Sequence, residues 1–248
     1  MAFAIGAMIA AVSVAGGSPV TWHNVSLGAP ASTLRASLGD PVRIMVINGE
    51  RIARYWLPGA KATYMLVMER NGYINGFEAF NEEPVVNIQD NVAPDPSGVH
   101  IGDTIEDVRS KHSDFRLYVE DGNPSMVGRI SSDIGAAYSF QNGRVHSFFW
   151  SSPYAATQQP ALAPLSEPAG DSMATALLDM QANETDGTSW EYRYLGFHPC
   201  DGQTLWQLKQ QSLLNDRGKA YDRLHVVCPS SKAERDFYFD ISSYFGKL

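Results

Sequence analysis

The feature that most constrains the fold is a short motif that occurs twice. The first copy spans residues 25–35 and the second spans residues 99–109. In each copy an apolar-x-apolar-Gly segment precedes a short helical pattern that contains an inward apolar residue followed directly by arginine. The offset from 25 to 99 is 74 residues, and Tyr64 and Tyr138 keep it. Self-similarity at a fixed offset is typical of repeated structural units, so we expect two copies of one unit.

Each copy of the motif is followed by β-rich runs that are separated by turn dipeptides. These are Asn48-Gly49 and Asn71-Gly72 in the first unit, and Asp121-Gly122 and Asn142-Gly143 in the second. Asn-Gly and Asp-Gly are favoured in two-residue hairpin turns, because both turn positions need a positive φ. The pattern therefore predicts that each unit is one short helix followed by an antiparallel meander.

The composition along the chain predicts where the units begin and end. We expect an α+β fold with two tandem helix-plus-antiparallel-meander repeats, at 22–83 and 99–150. A connector at 84–98 joins them, and a Pro-rich linker at 151–172 follows the second repeat. A small α+β module then occupies 173–248.

Local patterns predict the elements of this third module. Trp190–Phe197 alternates as a strand would, whereas Thr204–Leu214 places leucines on one side of a helix. Residues 224–228 and 237–241 predict two further strands, and residues 173–181 predict a short helix.

The amino terminus carries an apolar run at residues 2–15, which is short for a membrane span and suits the apolar region of a signal peptide. Ser13-Val14-Ala15 offers a small-x-small cleavage site, although Met1 runs into the apolar stretch without a positive segment. We predict that residues 1–17 are a signal peptide or an anchor, with a buried strand or helix as the alternative. The expected location is periplasmic or secreted, with membrane attachment only if this segment is retained.

The chain has two cysteines, Cys200 and Cys228. In an exported protein they are expected to form a disulfide, which would stabilise the fold by roughly 3–4 kcal/mol. Two reduced thiols are the alternative if the first 17 residues are not a signal. With His198 and His225 the cysteines do not show the spacing of a zinc site, so we predict no metal and no cofactor.

Charge excludes one class of partner. The chain has 19 Lys+Arg against 27 Asp+Glu and a formal charge of −8, with no basic cluster. A nucleic-acid surface needs clustered positive charge, so we expect no nucleic-acid partner.

Adjacent aromatic residues on the predicted strands point to a binding surface. Successive side chains of a strand face opposite sides of the sheet, so Tyr55 and Trp56 cannot share one face. We predict Tyr55, Trp56, Phe148 and Trp150 as candidate contacts with a partner, because aromatic residues dominate protein interfaces. The alternative is that the linker or the third module covers this face.

The repeated motif resembles the SmpA/OmlA outer-membrane lipoprotein domain and, in its tandem arrangement, beta-lactamase inhibitor protein. The resemblance covers about residues 22–150. It implies α+β units that bind proteins through their sheet and loop surfaces and that carry no catalytic residues. No cysteine follows the apolar segment, so the lipid-anchored form is not implied. The residues that carry the resemblance are Leu27-Gly28, Leu34, Leu38-Gly39-Asp40-Pro41, Ile101-Gly102 and Val108.

We therefore expect an exported envelope protein that binds another envelope or secreted protein, without catalysis, through its repeat sheets. The alternative is a hydrolase with a site between the repeats, or in the third module around His198, Asp201 and His225. None of the six histidines lies in a recognisable catalytic motif. The sequence thus favours a binder and names no reaction.

Overall fold

A computed structural model describes residues 20–82, 92–120, 123–152 and 160–247. The predicted signal peptide or anchor at residues 1–17 lies outside this part of the chain. No helix among the described residues is long and apolar enough to cross a membrane. The α-helices are α1 (Leu34–Leu38), α2 (Ile105–Lys111) and α3 (Glu184–Phe197). The strands are β1 (Thr21–Trp22), β2 (Val25–Ser26), β3 (Arg43–Ile47), β4 (Glu50–Trp56), β5 (Thr63–Arg70), β6 (Tyr73–Asn81), β7 (Arg116–Glu120), β8 (Asn123–Arg129), β9 (Gly135–Gln141), β10 (Arg144–Ser151), β11 (Leu177–Leu178), β12 (Gln207–Asp216), β13 (Lys219–Val227) and β14 (Glu234–Asp240).

Eight of these strands form one antiparallel sheet in the order β3-β4-β5-β6-β10-β9-β8-β7. The predicted hairpin turns at Asn48-Gly49, Asn71-Gly72 and Asn142-Gly143 are confirmed, since both residues of each turn have a positive φ. The predicted turn at Asp121-Gly122 lies outside the described residues. Local turn chemistry thus sets the order of strands within each half of the sheet.

The predicted α+β class is wrong. Among the described residues, strands make up 43% and helices 15%, so this part of the protein is mostly β. The two predicted helix-plus-meander repeats do not form separate units, because β6 pairs with β10 and joins both meanders into one sheet. Helices α1 and α2, of five and seven residues, are too short to form a helical layer of their own. The domain boundaries inferred from composition stay a prediction.

The two copies of the repeated motif form the same turn, but the strands that follow them pack against different parts of the protein. Gly28 and Gly102 both have a positive φ, and their N–H groups donate to the carbonyls of Ile74 and Val145 at 2.7 and 2.8 Å. The 74-residue offset does not persist in the sheet, since Tyr138 packs in the core beneath the helices whereas Tyr64 packs against the C-terminal residues.

The inner face of the sheet holds the larger core. Helices α1 and α2 cover it together with the amino-terminal strands, through Leu34, Val108 and Trp22. From the sheet, Phe77, Phe148 and Trp150 fill the space below them. Fully burying one such side chain stabilises the fold by roughly 1.5–3 kcal/mol, so this face supplies much of the stability.

The C-terminal residues form a second sheet, in the order β11-β14-β13-β12, with α3 packed against it. Two of the predicted elements are exchanged: Trp190–Phe197 belongs to helix α3, and most of Thr204–Leu214 belongs to strand β12. Asn183 caps α3 by accepting from the N–H of Asp186. The buried positions of α3 follow a helical spacing that the strand pattern hid: Gly187, Trp190, Glu191, Tyr194 and Leu195.

Other predictions for the C-terminal residues agree better with the structure. Strands β13 and β14 contain most of the two predicted strands, and the predicted short helix is a 3₁₀ turn at Met173–Thr175 followed by β11. The predicted disulfide between Cys200 and Cys228 is present, with Cα atoms 5.6 Å apart. It ties the segment after α3 to the end of β13.

The turn that follows α1 attaches the C-terminal residues to the eight-stranded sheet. The buried carboxylate of Asp40 forms an ion pair with Arg35 at 3.0 Å and accepts from the N–H of Leu178 at 2.8 Å. Gly39 has a φ of 78°, and a Cβ there would lie 2.4 Å from the carbonyl oxygen of Leu178. The contact therefore needs glycine at 39 and a carboxylate at 40.

Two glycines of α3 provide a matched test of the packing around that helix. A Cβ at Gly187 would lie 2.0 Å from Cζ of Tyr244, whereas a Cβ at Gly196 meets nothing within 4 Å. We expect Gly187→Ala to lower the free energy of unfolding by about 1–3 kcal/mol. Gly196→Ala should raise it by up to about 1 kcal/mol, because alanine favours helix. Urea unfolding of both variants measures this, and equal effects would contradict the packing.

Candidate functional site

A row of directly paired residues crosses seven strands of the large sheet and defines its outer face. Residues paired across antiparallel strands point to the same side of the sheet. The residues paired from strand to strand therefore all lie on one face. We call these residues the outer row. From β4 to β7 they are Trp56, Tyr64, Phe80, Ser147, Ser139, Ser125 and Tyr118.

The C-terminal residues cover the first half of the outer row. Trp56 and Tyr64 are buried in a cluster with Trp190 and Tyr194 of α3, and Phe80 packs against the same cluster. Trp56 and Tyr64 meet edge to face with ring centroids 5.6 Å apart. This outcome is the alternative considered for the aromatic face, in which the third module covers it.

The second half of the outer face is open within the described residues. Tyr118 and Val127 are 52% and 43% exposed. Phe149 and Ala137 stand beside Val127 in a second paired row, and their side chains are half-buried. We call this surface the open face, and it comprises Tyr118, Ser125, Val127, Ala137, Ser139 and Phe149.

None of the four aromatic contacts predicted from the sequence lies on the open face. Tyr55, Phe148 and Trp150 point into the inner core and are at most 2% exposed. Trp56 points outwards but is buried under the C-terminal residues. Two adjacent aromatic residues of a strand point to opposite faces of the sheet. The sequence pattern alone does not indicate which of the two points into the core. Phe149, between Phe148 and Trp150, is the residue that the alternation of β10 places outside.

Beneath the sheet, a buried carboxylate organises a polar network that the sequence did not reveal. Asp95 accepts from the hydroxyl of Tyr138 at 2.5 Å and from the indole Nε1 of Trp150 at 3.1 Å. It also accepts from Oγ and the N–H of Ser97, and from the N–H of Val99. These five donors satisfy the carboxylate and fix the connector before α2 against the sheet.

His112 completes the network, with Nε2 at 2.9 Å from Oγ of Ser97 and 3.0 Å from the hydroxyl of Tyr138. A serine beside a histidine suggests a nucleophile and its base, and this is where a site between the two halves would lie. Both hydroxyl hydrogens, however, are donated to Asp95. Nε2 must then carry a proton and donate, so it cannot take one from Ser97. Burial lowers the pKa of His112, which favours this neutral form.

Removal of one hydroxyl tests the network. Tyr138→Phe keeps the ring that packs near His112 and Phe115 but removes a donor to buried Asp95. We expect the free energy of unfolding to fall by about 1–3 kcal/mol, because a buried acceptor loses its partner. Tyr118→Phe, on the open face, is the control and should change it by at most about 0.5 kcal/mol. Equal losses in thermal or urea unfolding would rule out the proposed network.

The residues predicted for a hydrolase in the third module do not converge. His225 Nδ1 lies 2.8 Å from Asp236, whereas His198 Nδ1 lies 2.9 Å from the carbonyl of Tyr194. Asp201 accepts from Ser230 and Thr204, and these hydrogen bonds hold its pKa below the usual range. Among the described residues, no hydrogen bond joins any two of His198, Asp201 and His225. The geometry therefore gives no support to a catalytic group there.

Three buried carboxyl groups lie near one another, one on α3 and two on the segments packed beside it, and the sequence analysis did not identify them. Asp179, Glu191 and Asp222 are buried, and each has one oxygen without a hydrogen-bond partner. The hydroxyl of Tyr244 donates to Glu191 at 3.3 Å. Burial, together with the carboxylates of Asp222 and Asp179, raises the pKa of Glu191 to about 9. Burial raises the pKa of Asp179 to about 7.

These shifts predict how stability depends on pH. An unfolded chain releases the Glu191 proton near its ordinary pKa of 4.5, whereas the folded chain keeps it to about 9. Unfolding therefore releases protons between these values. Burial lowers the pKa of His23, His112 and His146, which opposes this effect at lower pH, so the free energy of unfolding should fall as pH rises from about 7 to 9. The slope is up to about 1.4 kcal/mol per pH unit for each retained proton.

Urea unfolding at several pH values measures the slope. Glu191→Gln should flatten the decline above pH 7, where Asp179 contributes less. Glu106→Gln, at an exposed position of α2, is the control and should leave the slope unchanged. A Glu191→Gln variant with the slope of the unmodified protein would show that Glu191 does not hold this proton.

Comparison with known proteins does not identify the chain. No protein-family model matches it, and no curated protein matches it. One similar structure is an extracellular protein containing a SCP domain from Bacillus anthracis str. Ames, with 19% identity and a TM-score of 0.39 over 62% of this chain and 54% of that chain. Another is a cysteine-rich secretory protein from Staphylococcus aureus subsp. aureus Mu50, with 16% identity and a TM-score of 0.36 over 60% of this chain and 53% of that chain.

The matched regions thus span about half the length of these two proteins. Similarity at this level carries no argument about fold or function. The expected resemblance to the SmpA/OmlA domain and to beta-lactamase inhibitor protein is wrong: no family model matches the chain, and the strands of both predicted repeats form one eight-stranded sheet.

Proposed function

We propose that this chain is an exported protein that binds another exported protein, without catalysis, through the open face. The observation that carries the proposal is the asymmetry of the outer row. The C-terminal residues bury the first half of this row. In the second half of the outer face, Tyr118 and Val127 are 52% and 43% exposed. Within the described residues the fold covers only half of this sheet face, and the other half is available to a partner.

The chemistry of the open face suits a protein partner. Phe149, Ala137 and Val127 give an apolar strip, and the hydroxyls of Ser125 and Ser139 lie beside it. Charges stand only at the margins of the two paired rows. Arg116 pairs with Val127 at the outer margin, and Glu78 pairs with Phe149 at the boundary with the covered half. An apolar centre with polar margins is the usual anatomy of an interface.

Glu78 makes the inner margin of the open face sensitive to protonation. Burial raises its pKa, and a hydrogen bond from Ser147 opposes part of that rise. Since its carboxyl is half-buried beside Phe149, a partner that covers it would favour the protonated form further. The open face thus brings few charges that a partner would have to compensate.

Export is supported by the apolar segment at residues 2–15 and by the disulfide of Cys200 and Cys228, because disulfides persist in oxidising compartments.

Site-specific photocrosslinking tests the proposal. The photoreactive residue benzoylphenylalanine replaces Tyr118 on the open face and, as a matched control, Tyr192 on α3, which are 52% and 43% exposed. In the native host we expect one exported protein to crosslink at 118 and not at 192. Mass spectrometry identifies it.

A second variant separates specific binding from chance contact. Val127→Asp places a charge in the centre of the open face, where its desolvation opposes binding, so it should abolish the crosslink at 118. Val46→Asp, at an exposed position of edge strand β3, should leave the crosslink intact. Equal yields at 118 and 192, or a crosslink that survives Val127→Asp, would refute the open face as the binding surface.

A further inference from the structure

The strand β7 lies at one edge of the eight-stranded sheet and, among the described residues, pairs on one side only, with β8. An edge strand presents main-chain N–H and C=O groups to any further strand that can pair with them. At the opposite edge the N–H of Ile44 in β3 donates to the carboxylate of Glu167 at 3.2 Å, so another segment already occupies part of that edge. In the described part of the chain, β7 has no such cover.

The residues of β7 do not protect this edge. Proteins usually protect an edge strand with internal charges, proline or a bulge. The ladder of β7 with β8 runs without a register shift from Arg116 to Glu120, and the residues between them are apolar or aromatic. Leu117, Tyr118 and Val119 are 44%, 52% and 68% exposed. The strand is therefore regular, uncharged between its ends and accessible.

Apolar side chains are exposed on the inner side of this edge. Tyr118 belongs to the outer row, so Leu117 and Val119 point to the inner side, because successive residues of a strand alternate. Leu117 pairs with Met126 of β8, which is fully buried in the inner core. The core thus ends at β7, where two apolar side chains stay exposed. A strand added at this edge would cover them and extend the core.

The order of residues in β7 identifies the partner strand. From 116 to 120 the strand reads Arg-Leu-Tyr-Val-Glu. Two antiparallel copies of this sequence place arginine opposite glutamate at both ends, leucine opposite valine at two positions, and tyrosine opposite tyrosine in the centre. Opposite charges, and pairs of apolar or aromatic residues, are the cross-strand pairs that stabilise antiparallel strands. The sequence of β7 is therefore complementary to itself.

We propose that β7 pairs with β7 of a second copy of this chain, antiparallel and about a two-fold axis at Tyr118. The contact is closed, because both copies use the same edge. It joins the two sheets edge to edge and places the two open faces side by side on the same side. The dimer does not rest on the partner proposed for the open face, so either proposal can fail while the other stands.

Sedimentation equilibrium of the purified whole chain tests the dimer. We expect a reversible equilibrium between monomer and dimer. Arg116→Glu should raise the dissociation constant at least about tenfold, because two attractive pairs become repulsive, and Glu120→Arg should do the same. The double variant with both changes restores opposite charges at both ends, so it should dimerise like the unmodified chain.

Two exposed valines give a matched pair of variants on the two edge strands of the sheet. Val119 of β7 is 68% exposed and Val46 of β3 is 62% exposed. Val119→Lys should abolish the dimer, because the new charge would lose its hydration in the contact. Val46→Lys should leave the dissociation constant unchanged.

A cysteine at position 118 tests the register. Cys200 and Cys228 are joined in a disulfide, so Tyr118→Cys adds a single free thiol. Directly opposed residues of antiparallel strands have Cα atoms within the range of a disulfide, so mild oxidation should link two copies. Tyr192→Cys on α3, where Tyr192 is 43% exposed, is the control and should remain largely unlinked.

The proposal fails if the purified chain stays monomeric at every concentration or associates beyond a dimer. It also fails if Val119→Lys dimerises as well as Val46→Lys, or if the double charge variant is as weak as Arg116→Glu alone. In the native host, a crosslink from position 118 to a second copy of the chain would report this edge. A crosslink from 118 to a different exported protein would report the open face, so the two proposals are distinguished.

Discussion

The pairing of β6 with β10 is the interaction on which the rest of the structure depends. It places Phe77 opposite Trp150 and turns two meanders into one sheet of eight strands. A continuous sheet has one inner and one outer face, so each helix and connector packs on one of the two. Helices α1 and α2 lie on the inner side, and burial of the large aromatic side chains there stabilises that choice.

The outer side is then divided by the C-terminal residues. Asp40 attaches β11 beside the first half through Leu178, and Arg54 is held between Tyr64 on the sheet and Phe197 on α3. The second half stays open within the described residues. The open face is thus a consequence of one module that covers part of one face.

Burial of a charged carboxylate costs desolvation free energy, and the two sides of the sheet compensate for it in different ways. Asp95 is satisfied by five donors from the connector and the sheet, so it fixes local geometry. Glu191 and its neighbours Asp179 and Asp222 have oxygens without partners, so burial favours the protonated carboxyl. The first arrangement stabilises a unique packing, whereas the second makes the C-terminal residues sensitive to pH.

The sequence alone determined the features that depend on residue type and on local order. Asn-Gly pairs specify hairpin turns, and the two cysteines of this chain can form a disulfide within it only with each other. It did not determine the fold class or which of Phe148 and Phe149 faces the core. It also did not determine that α3 is a helix and β12 a strand. Those depend on which surfaces meet: β6 with β10, α3 with the outer face, and Asp95 with Tyr138. Tertiary structure decided them, because an alternating aromatic pattern is the same for both faces until packing buries one.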